Sequence, residues 1–201
     1  MKLNLGCGED YREGWLNVDR DVQVTRADYY GDLDAVRANP LPYPDHSVDY
    51  ILCSQVIEHL RNPLQLSQEL YRLATPECIW EIVCPHGASD DAWEDQTHVR
   101  AYYPTSFLSF SQPYYHRAPP GFPYSADWEP QEIRVYVRMS EKEKTAYDAG
   151  VLLPDVLQYR LHHERNHVAV MTAFMKPVTP GRPRKAELMR SVQCLIYPVE
   201  S

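Results

Sequence analysis

A glycine turn stands almost at the start of the sequence, and an acid follows it closely. The stretch LNLGCG places Gly6 and Gly8 directly after a short apolar run, and Asp19 ends the next run, WLNVD. A glycine turn after the first strand of a parallel sheet lets the backbone approach a nucleotide, and an acid at the end of the following strand can accept hydrogen bonds from ribose hydroxyls. These residues therefore indicate a nucleotide-type ligand.

The spacing of these residues departs from that of a dinucleotide site. Such a site needs a third glycine three positions after the second and an acid about twenty residues further on. Here Tyr11 takes the third position, and Asp19 lies only eleven residues after Gly8. By spacing alone, a purely structural turn remains an alternative interpretation.

A second group of reactive side chains lies between residues 86 and 130. The stretch PHGASDDAWEDQTHVRAYYP carries two histidines among several carboxylates. Such side chains could supply a general base, for which His98 and His86 are the candidates, or ligate a metal. Because their spacing matches no zinc signature, no metal site is predicted. The alternative is that these polar residues only hold the loop together through caps and hydrogen bonds.

The elements that must position these groups alternate along the first 85 residues. Apolar runs end at turn residues, and NPLQLSQELYRLATP begins with the N-cap candidate Asn62 and Pro63. Runs that are apolar on both faces favour a parallel sheet covered by helices. Further on, QEIRVYVRM and HVAVMTAFM are typical of strands, and PDVLQYRLHHERN of a helix. Ser140 and Glu143 predict a capping box, which opens a helix that Gly150 can end.

Composition narrows the class of function. The chain has 201 residues, enough for one domain, with 20 basic and 28 acidic side chains and a net charge of -8. An acidic balance disfavours nucleic-acid partners and suits a small-molecule site. No apolar run is long enough to span a membrane, and no secretory signal is present. Five cysteines without a CxxC pair indicate reduced thiols and a cytoplasmic protein.

Four segments, taken together and in order, resemble the class I S-adenosylmethionine (SAM) methyltransferases. They are LNLGCG, GWLNVD, GDLDAVRANPLPYPDHSVDYILCSQVIEHL and LYRLATPECIWEIVCPH, and the resemblance covers residues 3 to about 110. It implies a Rossmann-like α/β fold with a mainly parallel, seven-stranded sheet in the order 3-2-1-4-5-7-6, whose last strand is antiparallel. It also implies SAM as the cofactor. Since SAM carries no pyrophosphate, a shortened connection after the glycine turn would be tolerated.

The resemblance also assigns a cofactor site by position. The glycine turn would pass the methionine part of SAM, Asp19 would bind the ribose, and Asp32 would accept from the adenine amine, with Asp28 a weaker candidate. The expected cofactor-binding set is Asn4, Gly6, Cys7, Gly8, Asp19, Asp32, Leu33, Ser54 and Gln55, of which the last two would border the methyl group. Asn4 departs from the family, which usually has an acid there. His59 belongs to a family motif and is interpreted as structural.

The segment 86–130 is expected to be a lid and substrate-recognition insertion in a single domain, 1–201. Many relatives cover their site with N-terminal helices, whereas here the first strand begins near residue 2, and the insertion leaves the fifth strand at the ligand end of the sheet. Its aromatic residues could wall the site or merely pack the loop. They are Tyr102, Tyr103, Tyr114, Tyr115 and Trp128. Residues 177–201 are expected to be a C-terminal tail of unassigned structure, through which a homodimer could form.

The leading hypothesis is methyl transfer from SAM to an oxygen or nitrogen atom of a small molecule. Three alternatives remain open. The protein could bind SAM without transferring its methyl group, since a fold does not fix a function. It could methylate a protein or RNA, helped by basic residues in the tail, or be an interaction module with a degenerate pocket. These basic residues are Arg182, Arg184, Lys185 and Arg190.

Overall fold

The computed structural model describes residues 1–23, 26–152, 154–192 and 194–200. Eight strands of these ranges join in one sheet. The strands are β1 (Lys2–Leu5), β2 (Leu16–Asp19), β3 (Tyr29–Tyr30), β4 (Val48–Ser54), β5 (Ala74–Pro85), β6 (Trp128–Met139), β7 (Val168–Pro177) and β8 (Cys194–Glu200). The helices are α1 (Pro63–Leu73), α2 (Asp91–Glu94), α3 (Glu141–Asp148) and α4 (Pro154–His163).

The order of the strands is β3-β2-β1-β4-β5-β7-β6-β8. Strands β1 to β5 are parallel, β7 is antiparallel to β5 and β6, and β8 is parallel to β6. The predicted Rossmann-like order with an antiparallel seventh strand is therefore confirmed. The order reverses between β1 and β4, and such a switch point places a ligand site beyond the carboxyl ends of these strands.

Strand β8 comes from the tail and was not predicted. It pairs with β6 from Ile133 opposite Cys194 to Met139 opposite Glu200, and so becomes the edge of the sheet. A proline in its middle, Pro198, weakens the sequence signal for a strand. Proline is confined to edge strands because it lacks the N–H that a central strand donates.

The connection between β1 and β2 holds no helix and is built by two buried amides. Asn4 donates to the Asp10 carbonyl oxygen (2.7 Å) and to Asn17 Oδ1 (3.1 Å). Asn17 in turn accepts from the Arg12 amide (2.9 Å) and donates to the Trp15 carbonyl (3.2 Å). Side-chain hydrogen bonds therefore fix this loop where a crossover helix would otherwise do so.

Helix α1 covers the centre of the sheet. Leu66, Leu70 and Leu73 recur at helical spacing and are fully buried. The helix begins at Pro63 as predicted, but the Asn62 side chain makes no capping hydrogen bond. The backbone amide of Asn62 instead donates to Asp34 Oδ1 (2.8 Å), which ties the start of α1 to a short 3-10 helix, Leu33–Ala35.

Two helices connect β6 to β7. Helix α3 opens with the predicted capping box, in which Ser140 N donates to Glu143 Oε2 (2.9 Å) and Glu143 N to the Ser140 hydroxyl (3.4 Å). Gly150, in the left-handed region at φ +69°, follows its end as predicted. Among the described residues, no helix is long and apolar enough to cross a membrane.

Candidate functional site

The glycine turn lies at the carboxyl end of β1, beside the switch point. Gly6 and Gly8 have positive φ angles of 59° and 50°. A Cβ on Gly6 would lie 2.4 Å from Cγ2 of Val56, so the turn and the segment after β4 pack too closely for any side chain. A Cβ on Gly8 would meet no atom within 4 Å. The backbone at Gly8 therefore borders open space at the ligand end of the sheet.

Asp19 is held against this turn. Its Oδ2 accepts from the amide of Gly8 (2.8 Å) and its Oδ1 from the amide of Asp21 (3.0 Å). The structure thus brings together the acid at the end of β2 and the glycine turn, as their positions predicted. The Asp19 carboxylate is half-buried, and these two hydrogen bonds fix its orientation beside the glycine turn.

Asn4 and Cys7 shape the turn from beneath. Both hydrogens of the Asn4 amide are used within the loop, and only 2% of the residue is exposed. Cys7 is buried, its amide donates to the Val18 carbonyl oxygen (3.1 Å), and burial raises the pKa of its thiol. In the structure these two side chains support the loop that carries the glycine turn.

Asp32 and Asp28, the two adenine candidates, have different surroundings. Asp32 is exposed and caps the 3-10 helix through a bond from the Asp34 amide (2.9 Å), while the next residue, Leu33, is buried in the core. Asp28 accepts from Asn17 and from the Tyr11 hydroxyl (2.9 Å), and the bonds from Asn17 chiefly hold its pKa below the usual range. Asp28 therefore serves the loop, and Asp32 is the better placed acid.

The end of β4 carries a strained residue. Gln55 has φ +55°, in the left-handed region that non-glycine residues rarely adopt, and it is exposed next to the half-buried Ser54. Its amide donates to the Val83 carbonyl oxygen on β5 (2.8 Å), which holds the strained backbone in place. Such strain clusters at functional sites, and this one lies at the predicted methyl-binding position.

A cluster of three titratable side chains follows directly. Glu58, His59 and His98 each present a carboxylate oxygen or ring nitrogen, and these atoms lie within 4.8 Å of one another. The two imidazole rings meet edge to face with their centroids 4.6 Å apart. Glu58 is 2% exposed, and neither of its carboxylate oxygens has a hydrogen-bond partner.

The insertion brings His98 to this cluster. The amides of Val99 and Arg100 both donate to the Glu58 carbonyl oxygen (2.9 and 3.2 Å). The Thr97 hydroxyl lies 2.9 Å from His59 Nδ1 and donates to Asp95 Oδ1 (2.7 Å). These hydrogen bonds hold residues 95–100 against the 3-10 helix Ile57–His59, which follows β4.

Burial sets the protonation of the cluster. Removal from solvent is the main cause that raises the pKa of Glu58 to about 7, and the same effect lowers the pKa of His59. A carboxyl group whose pKa lies near neutral pH, beside two imidazole rings, is suited to proton transfer.

Sequence reasoning found only part of this cluster. It selected His98, interpreted His59 as structural and passed over Glu58. The available signal was a glutamate standing directly after the apolar residues Val56 and Ile57 at the end of a strand, in the stretch QVIEHL.

His86, the other predicted base, lies elsewhere in the insertion. The residue is 1% exposed, its ring packs edge to face on Tyr103 (5.2 Å between centroids), and its Nδ1 accepts from the Ala88 amide (3.2 Å). It is not one of the three residues of the cluster. These contacts match the alternative in which His86 holds the loop together.

A cleft of about 810 Å³ separates α1 from the insertion. Its lining includes Arg61, Arg100, Tyr102, Tyr114 and Tyr115. The cleft adjoins the cluster through two of its lining residues. The backbone amide of Arg100 donates to the Glu58 carbonyl oxygen, and the Tyr102 hydroxyl donates to the Ile57 carbonyl oxygen (3.4 Å).

Two of the predicted wall residues do not line this cleft. Trp128 is fully buried in β6, and its indole N–H donates to the Ser67 carbonyl oxygen (2.9 Å). Tyr103 lies instead over Gly87 and His86. The remaining three predicted tyrosines do line the cleft, together with Phe110, Phe122 and Tyr124.

Comparisons with known proteins agree with this architecture. Residues 3–80 match a family model described as a methyltransferase domain. A SAM-dependent methyltransferase from Archaeoglobus fulgidus superposes with a TM-score of 0.56 at 16% identity, over 87% of this chain and 85% of that one. A second, from Mesorhizobium loti, gives 0.49 at 12% identity, over 87% and 89%. No curated protein matches the sequence.

The likeness to the Archaeoglobus fulgidus structure, at 16% identity, shows the fold. The family match covers the glycine turn, β1 to β4 and the cluster residues on the segment after β4. Both findings agree with the resemblance to class I SAM-dependent methyltransferases, and with SAM as the cofactor, that the sequence predicted.

Proposed function

We propose that the protein transfers the methyl group of SAM to an oxygen atom of a small molecule. The observation that carries the proposal is the cluster of the buried Glu58 and the half-buried His59 and His98 beside the strained end of β4. A hydroxyl acceptor must lose its proton during transfer, whereas a neutral amine needs only positioning. Proton-accepting groups at this place favour an oxygen acceptor over a nitrogen one.

The cofactor would lie across the carboxyl ends of β1, β2 and β4. Its methionine part would pass Gly6 and Gly8, Asp19 would bind the ribose hydroxyls, and Asp32 the adenine amine. The open space at Gly8 and the fixed carboxylate of Asp19 support this placement. The sulfonium methyl would then point towards Gln55 and the cluster, where alignment with the acceptor and exclusion of water promote the displacement.

The acceptor would enter through the cleft between α1 and the insertion. Tyrosines line the cleft, while the exposed Arg61 and Arg100 stand at its border. An apolar or aromatic hydroxyl compound that carries an anionic group fits such a lining, since arginine pairs with carboxylate or phosphate oxygens. In this proposal the insertion is the lid, and its attachment to the segment after β4 supports a position over the reacting atoms.

The alternative of an RNA substrate loses support from the tail. Arg182 pairs with the fully buried Asp127 (2.8 Å) and with Glu129, and Arg190 pairs with Glu129 (3.2 Å). Arg184 donates to the carbonyl oxygen of Tyr124 (2.6 Å). These arginines hold the tail on the domain, so they offer little free charge to a phosphate backbone.

Incubation with methyl-labelled SAM and a panel of acceptors tests the proposal. The panel should hold phenols and aliphatic hydroxyl acids, each beside the matching amine. We expect label in a hydroxyl compound together with stoichiometric S-adenosylhomocysteine. Tight SAM binding with no turnover on any acceptor would support the alternative of a SAM-binding protein that transfers no methyl group, and label in amines alone would contradict the oxygen acceptor.

A further inference from the structure

We propose that Glu58, His59 and His98 form a binding site for one divalent transition-metal ion. No metal site was predicted from the sequence, because the histidines and carboxylates of the insertion match no zinc signature. The cluster instead draws two ligands from the segment after β4 and one from the insertion. The role of the metal rests on the proposed function, whereas its binding does not.

The geometry and ligand types suit such an ion. Bonds from zinc to imidazole and carboxylate ligands are about 2.0 to 2.2 Å long, so ligand atoms around one ion lie roughly 3 to 4.4 Å apart. The ligand atoms of the three side chains now lie within 4.8 Å of one another, so small side-chain rotations would bring them to the spacing that one ion requires. One carboxylate with two imidazoles suits Zn²⁺, Co²⁺ or Fe²⁺, while Mg²⁺ and Ca²⁺ prefer oxygen ligands alone.

The unpartnered atoms at the site point to a ligand independently. Glu58 is 98% buried. Among the residues that the structure describes, neither of its oxygens has a hydrogen-bond partner, and the buried Nδ1 of His98 has none either. Buried carboxylates are normally paired or coordinate metals, because a lone charge in the interior is strongly unfavourable. A cation held between Glu58 and His98 would satisfy both groups together.

The surroundings of His59 prepare its ring for a metal. The Thr97 hydroxyl donates to Asp95 Oδ1 (2.7 Å), so it accepts from Nδ1–H of His59 (2.9 Å). The Thr97 carbonyl oxygen, 3.3 Å from the same nitrogen, also requires a hydrogen there. The proton therefore lies on Nδ1, and the lone pair of Nε2 is available. Metal-bound histidines usually have such a partner on the second nitrogen.

Three protein ligands would leave a coordination position for the acceptor. A hydroxyl bound there loses its proton more readily, as water does on zinc, and the proton passes to solvent. The oxygen then forms a bond to the methyl carbon while the bond from that carbon to sulfur breaks. The electron pair of the broken bond stays on sulfur and gives S-adenosylhomocysteine. No oxidant or reductant is needed.

Calorimetric titration of chelator-treated protein with Zn²⁺, repeated with Co²⁺ and monitored by visible absorption, tests the inference. We expect one ion per chain, with Co²⁺ bands typical of mixed nitrogen and oxygen ligands. Glu58→Gln and His98→Gln should weaken binding at least tenfold, the range seen even when a group outside the ligand shell is lost. His116→Gln is the matched control, because His116 is an exposed histidine of the same insertion whose Nδ1 lies 3.2 Å from the Pro113 carbonyl oxygen, outside the cluster.

SAM titration of every variant shows whether the fold has survived. No binding by the folded wild type, or binding that Glu58→Gln leaves unchanged, overturns the inference. One bound ion without methyl transfer to any acceptor would support the metal site and refute the proposed function. Transfer that continues at full rate in metal-free protein would support the proposed function and refute the role of the metal in activating the acceptor.

Discussion

At the residue scale, the chemistry depends on carboxylates and imidazoles whose surroundings differ sharply. Asp19 is anchored by two backbone amides and stays half-exposed, as a group that must reach a ligand does. Glu58 is enclosed and has no hydrogen-bond partner for its oxygens. A ribose-binding acid needs only charge and direction, whereas a group that moves a proton or holds a metal is tuned by burial.

Replacement of Asp19 by Ala should weaken SAM binding. The carboxylate accepts charge-assisted hydrogen bonds, so its loss should cost about 2 kcal/mol or more in SAM affinity, with the fold retained. Asp19→Asn should show a smaller loss, because the amide keeps the shape and loses the charge. Calorimetric titration measures these affinities, with Asp21→Ala, an exposed acid two residues on, as the control. An unchanged affinity in folded Asp19→Ala would exclude the ribose assignment.

Replacement of His98 by Ala should lower turnover with little change in SAM affinity. A group that acts only in the chemical step contributes to kcat and not to cofactor binding. The loss should be on the order of a hundredfold or more. His86→Ala provides the contrast, because the contacts of His86 predict a lower melting temperature first. If His98→Ala lowers the melting temperature along with turnover, His98 only holds the insertion in place.

At the element scale, side-chain hydrogen bonds fix short connections in places where a helix would otherwise link two strands. The amides Asn4 and Asn17 build the loop between β1 and β2, and Asp34 ties the start of α1 to the segment after β3. The insertion, in turn, is fastened at residues 95–100 to the carbonyl of Glu58. A compact domain can keep its site geometry in this way, since each buried amide satisfies several backbone groups at once.

Helix α3 should depend on pH through its capping box. Ser140 chiefly, with Arg160, lowers the pKa of Glu143 to about 2 from its ordinary value near 4.5. A lowered carboxyl pKa in the folded state contributes stability above the unfolded pKa, and this is lost as pH falls from about 4.5 towards 2. Since the side chain is 35% exposed, screening limits the contribution to about 1 kcal/mol.

Denaturant unfolding of Glu143→Gln at pH 7 and pH 3 measures this contribution. We expect the deficit relative to wild type to be full at pH 7 and to shrink at pH 3. Glu141→Gln, an exposed acid of the same first turn outside the capping box, is the control. A deficit that is equal at both pH values would show that the carboxylate charge contributes nothing.

At the scale of the whole molecule, the site is assembled from both halves of the chain. The turns after β1, β2 and β4 come from the first 60 residues, while His98 and the cleft wall come from the insertion. The C-terminal segment adds β8 as the edge strand of the sheet beside β6. Its Arg182 forms an ion pair with Asp127. In the proposed function, cofactor binding therefore belongs to the sheet, and recognition of the acceptor to the insertion.

SAM and S-adenosylhomocysteine should raise the melting temperature of the protein, and NAD should not. A ligand that binds only the native state stabilises it by about 2.7 kcal/mol at a concentration of a hundred times its Kd. The discriminating feature is Tyr11, which stands where a dinucleotide site has its third glycine. Differential scanning fluorimetry with each ligand is sufficient, and a shift with NAD alone would contradict the cofactor assignment.

Removal of β8 should destabilise the domain and reveal whether the tail joins two copies. A chain ended after Val192 loses the packing of Cys194 and Ile196 on the core, worth on the order of 2 kcal/mol. If the predicted homodimer forms through the tail, the full chain should be dimeric by light scattering and the shortened one should not. A full-length monomer would exclude this dimer, although the loss of stability should persist.

Local patterns in the sequence were sufficient for the core of the fold and for the position of the glycine turn. Apolar runs ended by glycine or proline specified the strands, and Pro63, Ser140 and Gly150 marked helix ends, because these signals act over a few neighbouring residues. The glycine turn and Asp19 were readable for the same reason, since both lie at strand ends whose parallel order brings them together.

Only the tertiary structure decided what depends on distant contacts. Glu58 became a candidate because its burial leaves both oxygens without a partner, and His59 because residues 95–98 fold back onto it. Strand β8 formed because the edge of β6 was open to a segment with weak strand signals of its own. Burial and pairing of this kind arise from residues far apart in the chain, so no window of the sequence contains them.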